Sequence, residues 1–97
     1  MDNQIKENAI PQEKTTNRDL EMPGNSARLK RNLSRDAVSL ASKGEWERAA
    51  EVNRAILEFF EDDVEAMNRL GKALMELADY DAAKRVLDRV VYVAPYN

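Results

Sequence analysis

The chain has 97 residues, a formal net charge of −3, no cysteine and no histidine. The missing residues exclude disulfides, thiolate metal sites and cysteine nucleophiles, and they remove the usual zinc ligands and the usual general base near neutral pH. Any catalysis would have to rest on carboxylates, lysines or tyrosines alone, so the chain is expected not to be an enzyme.

The first segment, residues 1–27, has few apolar side chains and no aromatic one. Pro11 and the run Pro23-Gly24-Asn25-Ser26 punctuate it. It reads as a flexible polar tail ending in a turn-rich hinge, with Ser26 as the N-cap of the first helix. Met1-Asp2-Asn3-Gln4 lacks the basic start and apolar run of a secretory signal, and no stretch approaches a membrane span of ~18 apolar residues. A cytoplasmic protein without a membrane contact is expected.

From Arg28 onward apolar residues return at helical spacing. Leu33, Ala37, Leu40 and Ala41 give a first amphipathic helix, which breaks at Lys43-Gly44. Trp46, Ala49, Ala50, Val52, Ile56, Leu57 and Phe60 give a second. After Glu61-Asp62-Asp63, with Asp63 as N-cap, Met67, Leu70, Gly71, Leu74 and Leu77 give a third. The break near Ala78-Asp79 precedes a fourth, carried by Tyr80, Ala83, Val86, Leu87, Val90 and Val91 and stopped by Pro95. The acid cluster at 61–63 is accounted for as a turn and cap, so no carboxylate site is assigned to it. Trp46, Met67, Leu74, Met75 and Tyr80 are core or interface positions, and no cofactor is expected.

Shifting the sequence against itself by 34 positions pairs Leu33 with Met67, Ala37 with Gly71, Leu40 with Leu74 and Gly44 with Ala78. The same shift pairs Trp46 with Tyr80, Ala49 with Ala83, Val52 with Val86 and Ile56 with Val90. A helical hairpin repeated at about 34 residues marks a tetratricopeptide array. The second unit, 64–97, resembles that repeat at Glu65-Ala66-Met67, Leu70-Gly71, Leu74, Asp79-Tyr80-Asp81, Ala83, Leu87 and Pro95. The first, about 30–63, agrees at Leu33, Ala37, Leu40, Gly44, Trp46 and Ala49. It departs at Asp36, Asn53 and Glu61, where the family has a large apolar residue, an aromatic or leucine, and a proline. A terminal repeat with one face toward water would tolerate Asp36 and Asn53.

The resemblance implies an all-α fold: two antiparallel helix hairpins of a helical-repeat superhelix over 28–97, preceded by the tail. It implies that Leu40, Trp46, Ala49, Leu70, Gly71, Leu74, Tyr80, Ala83 and Pro95 pack and punctuate the hairpins. Gly71 and Ala83 are small where helices approach closely, and Tyr80 fills space beside the inter-helix turn. The resemblance further implies a non-catalytic protein-binding scaffold whose first helices line a concave groove. That assignment places Arg31, Ser34 and Arg35 in the groove beside Asn68, Arg69 and Lys72, a donor-rich patch suited to an acidic peptide or protein segment. Arg35 and Arg69, 34 residues apart, are expected side by side.

Two alternatives stand beside this reading. One is a structural module that self-associates through an uncapped C-terminal face bearing Val86, Val90, Val91 and Tyr92. The other is an N-terminal piece of a longer bacterial tetratricopeptide protein whose activity lies elsewhere, an expectation drawn from the chain stopping at a repeat boundary. Nucleic acid is not an expected partner: the basic surplus of residues 28–43 has no interleaved aromatic and is answered by an acidic surplus over 44–97.

Overall fold

The computed structural model describes residues 23–95, which contain four α-helices: α1 (Pro23–Ser42), α2 (Trp46–Phe59), α3 (Val64–Glu76) and α4 (Tyr80–Val93). The expectations for residues 1–22, Tyr96 and Asn97 lie outside the described residues. The described chain divides into a short first unit ending at Lys30 and a second beginning at Arg31. The first holds the opening turns of α1, where Arg28 donates to Asn25 one turn earlier.

One expectation fails at this start. Pro23 to Ala27 are helical, not hinge, and Ser26 lies inside α1 instead of capping it. A proline is well suited to the first position of a helix, where its missing N–H costs nothing and its φ is already helical. The four-residue turn signature therefore opens the helix.

The other boundaries fall where the sequence places them, and the turns show why. At the end of α1 the Gly44 N–H donates to Ala41 O and the Glu45 N–H to Leu40 O, both at 2.9 Å, closing a Schellman motif around Gly44 at φ +75°. The α3 terminus repeats it: Ala78 N–H to Met75 O at 3.0 Å, Asp79 N–H to Leu74 O at 2.9 Å, with Ala78 at φ +63°. Asp63 caps α3 by accepting from the Ala66 N–H at 3.0 Å. Asp79 caps α4 through a longer contact of 3.4 Å to the Ala82 N–H. Helix α4 ends at Val93, and Ala94, the residue preceding Pro95, has left the helical conformation at φ −136° and ψ 72°.

In the second unit α3 packs against both α2 and α4. The core is rich in small residues: Ala49, Ala50, Leu70, Ala73, Leu74 and Ala83 form one buried cluster, and Leu40, Ala41, Trp46, Leu57, Ala82 and Val86 pack on it. Small side chains let the helix axes come close. Gly71 is the tightest point, because a Cβ there would lie 2.6 Å from Leu87 Cδ2 and 2.8 Å from its Cγ. Leu87 occupies the volume that any side chain at 71 would need.

Tyr80 departs from its expected packing role and is 63% exposed. Its counterpart 34 residues earlier, Trp46, is half-buried against the core, where α3 lies over the first hairpin. Among the described residues no helix follows α4 to cover Tyr80 in the same way.

Candidate functional site

Helical spacing puts Arg31, Ser34, Arg35, Val38 and Ser42 on one stripe of α1, and Glu65, Asn68, Arg69, Lys72 and Glu76 on the matching stripe of α3. Arg31, Arg35, Asn68 and Lys72 are exposed, whereas Ser34 and Arg69 are half-buried. Val38, 53% exposed, lies among the polar residues of the α1 stripe.

Arg69 joins the two stripes. Its Nε–H donates to Asn53 Oδ1 at 3.0 Å and its Nη2–H to Ser34 Oγ at 3.4 Å. Asn53 is 1% exposed, and its own Nδ2–H donates to Ala49 O at 2.9 Å. A single guanidinium thus ties α1, α2 and α3 together through neutral partners. Among the described residues no carboxylate lies within ion-pair distance of Arg69.

Asn53 is therefore not a polar residue tolerated on a water-facing side. It lies on the buried face of α2 between Ala49 and Ile56, where its side-chain carbonyl accepts the bond that orients Arg69. Asp36, by contrast, is exposed. The signal that could have located the contact was present: an asparagine within an apolar helical stripe must find a hydrogen-bond partner if it is buried.

The remaining donors are held more loosely. Arg35 Nη1–H donates to Asn32 Oδ1 at 3.2 Å, an exposed contact within α1. Lys72 pairs with Glu76 at 2.8 Å on the surface of α3, and its Nζ stands 5.8 Å from the centroid of the Trp46 ring. The Lys72–Glu76 pair is solvent-exposed and easily exchanged. Arg69 is the fixed member of the site, and Arg31, Arg35, Asn68 and Lys72 are the accessible ones.

Outside the stripes, a depression of about 440 Å³ between α1 and α2 is lined by Asp36, Ser39, Leu40, Lys43, Arg48, Glu51 and Val52, a mixture of both charge signs. Among the described residues no three acidic or other metal-ligating side chains cluster, and no helix is long and apolar enough to cross a membrane. On α4, Lys84 bonds Asp88 at 2.8 Å, and that bond together with the carboxylate charge raises the lysine pKa.

No curated protein and no solved structure matches the chain. The sequence profile described as Tetratricopeptide repeat matches residues 40–95, from the last three residues of α1 through the end of α4. With four helices among its described residues, in two hairpins repeated at 34 positions, this chain belongs to the tetratricopeptide repeat family.

Proposed function

We propose that this chain is a non-catalytic protein-binding scaffold that takes an acidic segment of its partner across the α1 and α3 stripes. The family membership supports the general role. The observation that carries the finer reading is Arg69, half-buried, held by Asn53 and Ser34, and with no carboxylate within ion-pair distance among the described residues. A guanidinium already fixed by its neighbours loses little side-chain freedom on meeting a ligand, so its attraction for a carboxylate is less offset by ordering cost.

Arg31 and Arg35 flank Ser34 on α1, and Asn68 and Lys72 flank Arg69 on α3. These side chains supply donors for carboxylates and backbone carbonyls of an extended or helical segment. Exposed Val38 offers one apolar contact between them. Glu65 and Glu76 bound the α3 stripe at its two ends and disfavour acidic residues beyond those limits, which would set the length of segment accepted.

The test is affinity capture from a lysate of the source organism, comparing the natural chain with an Arg31→Glu, Arg35→Glu variant of equal helicity. Both residues are exposed, so their replacement leaves the Arg69 network in place. A protein retained by the first chain and lost by the second supports the reading. The same set of proteins retained by both removes these arginines from partner recognition.

A further inference from the structure

The second hairpin carries a row of side chains whose counterparts in the first hairpin are covered. Ala41, Trp46, Ala50, Asn53 and Leu57 are buried or half-buried on the side of the first hairpin where α3 packs. Thirty-four positions later stand Met75, Tyr80, Lys84, Leu87 and Val91. Met75 is 49% exposed, Tyr80 63% and Val91 65%. The repeat itself thus shows what such a row accepts, namely a helix laid along it.

The two rows differ at their centre. Buried Ala50 becomes Lys84, and Arg54 beside it becomes Asp88, with side chains 76% and 65% exposed. A helix that brought only apolar atoms onto this row would strip water from the Lys84 ammonium without replacing its hydrogen bonds, at considerable cost. An occupant that supplies a carboxylate opposite Lys84 and apolar side chains on either side of it avoids that cost.

Helix α4 meets that description. Along it Tyr80, Lys84, Leu87 and Val91 recur at spacings of four, three and four residues, so they form one stripe, with Asp88 adjoining Lys84. We propose that a second copy of this chain docks here, α4 lying antiparallel to its counterpart about a two-fold axis that crosses the stripe between Lys84 and Leu87. Tyr80 of one protomer then meets the partner's Val91, and Lys84 meets the partner's Asp88, each contact occurring twice by symmetry. The Lys84–Asp88 pair within one helix opens and re-forms across the axis, so no charge is left unpaired. Met75 and Tyr92, both exposed, border the contact. A single helix crossing buries less than the roughly 1,200 Å² of a stable specific interface, so the dimer forms only at high protein concentration. This surface shares no residue with the α1 and α3 stripes, and either proposal can fail alone.

Sedimentation equilibrium of the full chain over a concentration series tests the proposal. The natural chain is expected to approach twice its monomer mass. Lys84→Glu and Asp88→Lys each place like charges across the axis twice, and each is expected to weaken association about tenfold. An equimolar mixture of the two variants restores opposite charges at every contact and is expected to recover the dimer, a result that misfolding could not produce. A natural chain that stays monomeric throughout overturns the proposal and leaves the row to a further repeat or a different partner. Variants that dimerise like the natural chain, or a mixture that does not recover, overturn it equally.

Discussion

Arg69 on α3 donates its Nε–H to the side-chain oxygen of Asn53, a residue buried on α2 and sixteen positions earlier in the chain. The bond explains why a polar residue occupies a position that the family fills with an aromatic or leucine. It also places a guanidinium, with no carboxylate in ion-pair distance among the described residues, between the two helices that present the proposed binding surface.

Removing one partner of this bond is expected to cost more than removing both. Arg69→Met leaves the Asn53 oxygen buried without its donor and should destabilise the fold by about 1–3 kcal/mol. Asn53→Leu paired with Arg69→Met restores an apolar contact and should recover most of that loss. Urea denaturation of the two single variants and the double variant measures the coupling. Additive losses would show that the bond is incidental to packing.

The contact between Gly71 and Leu87 gives a second cycle. Gly71→Ala gains helix propensity of about 1 kcal/mol but forces a methyl group into the volume of Leu87, an overpacking that costs about 1–3 kcal/mol. The net expectation is a loss of about 1 kcal/mol. In a Leu87→Ala background the obstruction is gone, and the same substitution should become stabilising. Thermal unfolding of the four chains checks the reversal of sign.

The two Schellman turns carry different residues at the left-handed position, glycine at 44 and alanine at 78, and that difference should be measurable. Ala78 sits at φ +63°, a left-handed conformation that costs an alanine about 1–2 kcal/mol. Part of the relief offered by glycine is offset by its greater freedom in the unfolded chain. Ala78→Gly is therefore expected to stabilise by about 0.5–1 kcal/mol, and Gly44→Ala to destabilise by about 1 kcal/mol. Equal effects of the same sign at both positions would contradict the turn assignment.

These residues also show how far the sequence could be read. Gly44, Asp63 and Asp79 mark helix ends by local chemistry, capping and left-handed turns, so the four helices and their hairpin pairing were legible. The start of α1 was not, because Pro23-Gly24-Asn25-Ser26 has the composition of a turn while its proline equally suits a first helical turn. Asn53 and Tyr80 were misjudged for a shared reason. Periodicity says which side of a helix a residue occupies, but the depth of its burial depends on whether another helix covers it. Helix α3 covers Asn53, and among the described residues no helix covers Tyr80. Within the site, the 34-residue spacing placed α1 and α3 side by side, as the contact between Arg69 and Ser34 shows. It could not show that Arg69 would turn inward toward a residue of α2, a contact set by three helices at once.

Titration of a fluorescently labelled acidic peptide, rich in aspartate and glutamate, tests the central claim most directly, with anisotropy followed at low and at physiological salt. The expected result is saturable binding to the natural chain that weakens as salt is raised, and a loss of at least about tenfold in affinity for Arg31→Glu, Arg35→Glu at unchanged helicity. Binding that is equal for the two chains, or no stronger for the acidic peptide than for a neutral one of the same length, would contradict a carboxylate-recognising surface on α1 and α3.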